Sequence, residues 1–452
     1  MYQSRNPYTG VVASTYPDAT ANEIEAVLTA GDAYYHRHYN EPVANRAAQL
    51  AQIAQTFDDR AEQLAALATA DMGKRHQEAL AEAHAAANIA RFYAANGPQA
   101  LAPRPYPFAG GSAELLTQAT GIVLAIEPWN FPYTQVMRVF APNFLLGNAV
   151  VLKHASNVPS CALAFAACVA VAVEAGAFAN LFATREQINT MIADDRVQGV
   201  ALTGSPQAGR QIAQEAGAAL TKTTMELGGN DALVVLADAD LGQAAQAAAD
   251  SRLRNAGQVC TSAKRFIVNA AVANDFLAAL KPLWAQYHPG DPADFATTLA
   301  PLASAQAAAS LQAQVESAVH HGAPVLIAGG RVADSEALFE PILLGQMAPD
   351  NPQFDAEFFG PVGQLLIAAN DNEAIKLANQ SQYGLAGAVF GTPAHARKVA
   401  SRMETGQVFI NQAANGYPQL PFGGVKHSGY GREMSELALT EFANQKIMAE
   451  SK

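Results

Sequence analysis

Cys260 lies in the stretch NAGQVCTSAKR and is one of three cysteines in 452 residues. A thiol reacts as its thiolate, which nearby cations or a helix start favour. Lys264 and Arg265 follow closely, so the expectation at Cys260 is a lowered thiol pKa. Cys161 and Cys168 sit instead in the apolar run CALAFAACVAVAV, where cysteine serves as a small hydrophobe. Glu226, in TKTTMELGGN, stands at a strand end beside Gly228 and Gly229, as a solvated carboxylate or a general base. Asn130, in AIEPWNFPYTQVMR, is bracketed by Pro128 and Pro132, which bar helix and central strand and hold the amide in one direction. Such an amide is a turn former or a preorganised N–H donor to an oxyanion. Thiol nucleophile, fixed oxyanion donor and carboxylate base make one consistent set.

Gly204, Ser205 and Gly209 fall between the apolar run VQGVALTG and a helical pattern. A helix start offers free N–H groups and partial positive charge to a phosphate, although the same residues also make a plain strand-to-helix turn. The usual GxGxxG fingerprint is absent, since GYGREM at 429–434 fails at its last position. No metal is expected: His36 and His38 are two apart, His320 and His321 are adjacent, and no CxxC pair occurs.

These residues need a scaffold. The first hundred positions read as helices from their apolar period, and GPQALAPRPYPFAGG (97–111) as a Pro/Gly-rich break. After it, short apolar runs alternate with helical patterns, which predicts an α/β fold of two domains with parallel sheets covered by helices. A net charge of −12 argues against nucleic-acid or anionic-membrane partners. The longest apolar run, 13 residues at 161–173, reads as a buried helix. It falls short of the roughly 18 to 20 needed to cross a bilayer. MYQSRNPYTG lacks a secretory layout, and the sparse cysteines fit a reducing cytoplasm.

Taken together, PWNFP, LTGSPQAG, MELGGN, NAGQVC, EFFGPV and PFGGVKHSGYGRE resemble, in order and spacing, the motifs of the aldehyde dehydrogenase superfamily. The resemblance implies a Rossmann-like cofactor domain (1–105 and 121–227), an α/β catalytic domain (228–433), and an oligomerisation element (106–120 and 434–452). It implies a homodimer or homotetramer acting on a small aldehyde. Cys260 would attack the aldehyde, with Asn130 and the Cys260 N–H holding the oxyanion and Glu226 activating the hydrolytic water. Trp129, Lys153, Gly204, Ser205, Gly209 and Glu357 match the family's cofactor contacts. Ser156 stands where many NAD-preferring members carry Glu, so the cofactor is expected to be NADP or NAD, with NADP favoured.

LKHA, GQVC and AKRFI are also similar to the short bacterial succinate-semialdehyde dehydrogenases. That likeness implies oxidation of succinate semialdehyde to succinate, with Arg138 and Arg254 gripping the remote carboxylate. The alternatives are another short-chain aldehyde or, with Glu226 against it, a CoA-acylating enzyme. Two departures stand out: NGYPQL, with Tyr417 and Gln419, replaces a serine found before PFGG in some members, and Ser262 stands where others carry a redox-partner cysteine.

Overall fold

The computed structural model describes residues 1–451. Strands β1 (Tyr2–Arg5) and β2 (Val12–Tyr16) pair antiparallel ahead of helices α1 (Ala21–His38), α2 (Val43–Asp59), α3 (Ala61–Met72) and α4 (His76–Ala100). The apolar period of this region accounts for the helices but not for the strands, which are too short to show alternation. Helix α4 continues through Pro98, so the break begins later than Gly97. A proline in a last turn forfeits one hydrogen bond and leaves the rest of the helix intact.

Strands β3 (Arg104–Phe108) and β4 (Gly111–Gln118) come next. The chain then runs β5 (Ile122–Glu127), α5 (Thr134–Leu146), β6 (Ala149–His154), α6 (Pro159–Val169), β7 (Phe178–Asn180), α7 (Arg185–Ile192), β8 (Val197–Thr203), α8 (Pro206–Ala218) and β9 (Lys222–Glu226). These strands form a parallel sheet in the order β9-β8-β5-β6-β7, with Gly429–Tyr430 added antiparallel beside β9. The chain leaves β5 toward β6 and later returns to β8 on the other side. A crevice opens at such a reversal beyond the strands' C-terminal ends. PWNFP follows β5 and Gly204–Ser205 follows β8, so both motifs border it.

Strand β10 (Asp231–Val235), helix α9 (Leu241–Leu253) and strand β11 (Ala263–Asn269) begin a second, seven-stranded sheet. It is parallel except for its edge strand Val325–Ile327. β10 is buried at every residue, as a strand covered on both faces must be. The α/β expectation therefore describes both sheets. A third sheet stands apart: β3, β4 and Asn444–Ser451 pair antiparallel. Every residue of β3 and of Asn444–Ser451 is exposed, including Tyr106, Phe108, Ile447 and Met448. Just upstream, Met434, Ala438, Leu439 and Phe442 are buried in the core of the first sheet. No helix among the described residues is long and apolar enough to cross a membrane.

Candidate active site

Past α9 the backbone turns through three consecutive left-handed residues, Asn255 (φ 51°), Ala256 (φ 52°) and Gly257 (φ 72°). Non-glycine residues there cost on the order of 1–3 kcal/mol each and persist only where the surroundings hold them. Here they are held by a set of hydrogen bonds. Asn255 N–H donates to Glu78 Oε1 (3.0 Å), and Asn255 Nδ2 donates to Asn130 O (3.1 Å) and Gln258 O (3.3 Å). Asn130 Nδ2 also donates to Gln258 O (3.0 Å), and Asn130 Oδ1 accepts from Gln135 Nε2 (3.2 Å). Gln258 Oε1 accepts the Ala303 N–H at 2.9 Å. The loops carrying Asn130 and Cys260 leave different sheets, and these bonds fasten one to the other. An amide nitrogen has two hydrogens, so Asn130 keeps one for a further acceptor.

Burial pushes the Cys260 thiol up to about 11, against the opposing pull of Arg138 and Lys264. The expected lowering is therefore overturned. Lys264 Nζ donates to Val259 O (3.0 Å) and Cys260 O (2.5 Å), whereas Arg265 turns away to Asn230 O (2.7 Å), Leu377 O (2.7 Å) and Ala378 O (3.0 Å). Both lie in β11, where successive side chains face opposite sides, so only one of the two cations can attend the thiol. Cys161 and Cys168 are buried in α6, as expected of small hydrophobes.

Glu226 ends β9, and neither of its buried carboxyl oxygens meets a donor. Burial and Glu433 raise it well above the usual carboxylate range, while Arg138 pulls the other way. A dry carboxyl with a raised pKa suits a general base working near neutrality. Arg138, in α5, places Nε (2.7 Å) and Nη2 (2.6 Å) on Glu433 and stacks 3.9 Å over the Phe422 ring. Its Nη1 takes no acceptor among the described residues. Arg254 is exposed, 3.4 Å from Asn415 Oδ1 and 5.9 Å from the Phe131 ring. The two arginines thus differ: one is committed to a buried ion pair, the other is exposed and, among the described residues, bonded only to the Asn415 amide.

The cofactor candidates divide between two places. Lys153 and Ser156 line a cleft of about 520 Å³ with Leu202, Ile212, Gln211 and Arg185. Ser205 caps α8, its Oγ accepting the Ala208 N–H at 3.2 Å, with Pro206 as first helical residue. Gly209 packs against Leu227. Glu357 lies near Cys260 instead, accepting the Gly229 N–H (3.1 Å) and pairing with Lys264 (3.3 Å). A Cβ on Gly228 would come within 2.3 Å of the Glu357 carboxylate and push it from its present position. Trp129 meets Phe359 edge-on at 5.8 Å, joining the loop after β5 to the one carrying Glu357.

The "Aldehyde dehydrogenase family" model matches residues 1–448. The chain belongs to the aldehyde dehydrogenase family. Among family members, a Deinococcus radiodurans protein named succinate-semialdehyde dehydrogenase [NADP(+)] is 42% identical, over 98% of this chain and 93% of its own length. The Escherichia coli succinate semialdehyde dehydrogenase [NAD(P)+] Sad is 39% identical, over 98% of this chain and 96% of its own. A crystal structure of succinic semialdehyde dehydrogenase from Streptococcus pyogenes with NADP+ superposes with a TM-score of 0.98 at 44% identity, covering 100% of both chains.

Several residues that support this aldehyde dehydrogenase's site carried no sequence signal. Buried Lys74 and Glu82 form an ion pair, with Lys74 Nζ 3.9 Å over the Phe131 ring. Glu82 Oε1 caps α5 by accepting the Tyr133 (2.9 Å) and Thr134 (3.2 Å) N–H groups, because α5 has no capping side chain of its own. His154, held neutral by burial with its pKa down to about 4, donates from Nε2 to Pro132 O at 3.0 Å. Glu433 sits within PFGGVKHSGYGRE, so that motif contained the partner of Arg138 without revealing the pairing.

Proposed function

We propose that this aldehyde dehydrogenase oxidises succinate semialdehyde to succinate, with NADP favoured over NAD. The observation that carries the chemistry is the fastening of the Asn130 loop to the Cys260 loop beside an unpaired Glu226. Cys260 loses its thiol proton to solvent and attacks the aldehyde carbon as the thiolate: a C–S bond forms and the carbonyl electrons move to oxygen. The spare Asn130 N–H and the Cys260 N–H, which takes no acceptor among the described residues, hold that oxyanion. As the oxyanion reforms the C=O bond, hydride leaves the former aldehyde carbon, which stays on Cys260 as a thioester; the nicotinamide, when bound, would supply the hydride acceptor. Glu226 then removes a proton from water, which displaces Cys260 from the thioester and releases the acid. An unpaired base in this position speaks against transfer to CoA.

Lys153, Ser156, Trp129, Gly204, Ser205, Gly209 and Glu357 hold the cofactor in this reading. The cleft suits the phosphate-bearing adenosine end of the cofactor, since Lys153 and Ser156 line it and no carboxylate among the described residues pairs with Lys153. Arg254 meets the remote carboxylate as an exposed guanidinium, and Arg138 presents Nη1 from its fixed position. The first sheet serves as cofactor domain and the second as catalytic domain. The exposed three-stranded sheet joins subunits into a homodimer or homotetramer in the cytoplasm.

Arg254→Ala tests the substrate. The expected result is a fall in kcat/KM of about tenfold or more for succinate semialdehyde and little change for an uncharged aldehyde of similar length. Equal losses on both would replace the substrate with another short-chain aldehyde.

A further inference from the structure

A buried ammonium lies behind Cys260 and takes no part in the bond-making steps. The chain reverses just after the thiol: Ser262 N–H donates to Val259 O at 3.2 Å, closing a turn, and Ser262 Oγ ties that turn to Ser251 O on α9 at 2.6 Å. The reversal brings Lys264, the second residue of β11, back beneath the backbone of Cys260. Its side chain is buried, and Nζ donates to Val259 O (3.0 Å) and Cys260 O (2.5 Å) while pairing with Glu357 (3.3 Å). An ammonium carries three hydrogens, so all of them are used. Glu357 is held in turn by the Gly229 N–H (3.1 Å), which fixes the ammonium from behind. Gly229 also admits the Cys260 carbonyl, since a Cβ there would stand 2.8 Å from that oxygen.

Burying a charge is costly, and an apolar side chain of similar volume would pack there at less cost. What the charge adds is a grip on two successive carbonyls, one on each side of the Cys260 α-carbon. The Val259 carbonyl belongs to the same peptide unit as the Cys260 N–H. That unit is planar and trans, so its C=O and N–H point in opposite directions. Holding the oxygen on Lys264 from one side therefore aims the N–H out of the other. A charged donor on the oxygen also draws electron density from the amide, which strengthens its N–H as a donor.

We infer that Lys264 is a positioning residue for the oxyanion: it aims and polarises the Cys260 N–H through the carbonyl of Val259. The inference rests on the thiol chemistry proposed above, in which that N–H and Asn130 share the oxyanion. The two donors then differ in kind. Asn130 brings a neutral side-chain amide from the first sheet, whereas the Cys260 N–H is a backbone donor with a cation behind it. Because the oxyanion exists only after attack, losing Lys264 lowers the rate of acylation rather than the affinity for the aldehyde.

The test places Lys264→Met and Lys264→Gln in a Glu226→Gln background, where reaction stops with the acyl group on Cys260. Stopped-flow absorbance then reads the single release of reduced cofactor with aldehyde and cofactor both saturating. Lys264→Met should slow that step by about 10- to 100-fold, and Lys264→Gln, which keeps an uncharged donor, should fall between it and the parent. Alkylation of Cys260 by iodoacetamide reads the thiol apart from the oxyanion. It should slow by less than acylation does, because Arg138 outweighs Lys264 at the thiol. Isotope-edited infrared of the trapped acyl group should show its carbonyl stretch moved to higher frequency in Lys264→Met, since a weaker donor polarises the bond less. Should Lys264→Met not fold, Lys264→Gln carries the same three readings. An unchanged stretch, or an acylation loss no larger than the alkylation loss, overturns the inference and leaves the thiol chemistry standing. If the Glu226→Gln parent gathers no acyl group on Cys260, the proposed chemistry itself fails and the role of Lys264 falls with it.

Discussion

The thiol of Cys260 offers a direct measurement of its surroundings in the cofactor-free protein. With its pKa raised to about 11 from an ordinary value of 9.0, the thiol is deprotonated far less than a free cysteine. At pH 8 the thiolate fraction falls to about 0.1%, against about 10% for the ordinary thiol, so alkylation by iodoacetamide should be roughly 100-fold slower. The sign follows from burial disfavouring the charged form. The rate should climb about tenfold per pH unit to pH 10 and show no plateau near 9. Arg138 is the larger of the two opposing cationic influences, so Arg138→Met should slow labelling further, by about tenfold at a given pH. Peptide-resolved mass spectrometry reads the rate at Cys260 separately from buried Cys161 and Cys168. A plateau at or below pH 9, or faster labelling in Arg138→Met, would refute the account of burial winning over the cations.

Glu226→Gln should permit acylation and block hydrolysis. One equivalent of reduced cofactor would appear in a burst, steady turnover would fall by about 10²–10⁴, and mass spectrometry would find the acyl group on Cys260. Gly257→Ala should lower unfolding stability by roughly 2 kcal/mol in urea titration and reduce kcat. It forces a side chain into a left-handed position, within 2.3 Å of both the Gly360 carbonyl and Arg252 Nη2. Unchanged stability would mean that the turn relaxes freely.

Much of the scaffold and of the candidate set was legible because it rests on local rules. The alternation of apolar runs with helical patterns gives the parallel sheets, and Pro128 and Pro132 fix the loop of Asn130 whatever surrounds it. The pKa of Cys260 was not legible, since it depends on which of two neighbouring cations faces the thiol and on how deeply the thiol is set. The commitment of Arg138 to Glu433 was equally hidden, because 295 positions separate the pair. Long-range ion pairs such as Lys74 with Glu82, and the capping of α5 by a residue from α4, leave no spacing to read. β1 escaped for a different reason: four residues are too few to carry a pattern.

The hydrogen bonds from Asn255 and Asn130 span the junction between the two sheets. The proposed oxyanion donor and nucleophile are therefore carried by loops associated with different sheets, and their alignment depends on the packing of one sheet against the other. Turnover then reports on the packing at this junction. Mild denaturant that loosens this junction before either sheet melts is expected to lower turnover while circular dichroism stays native.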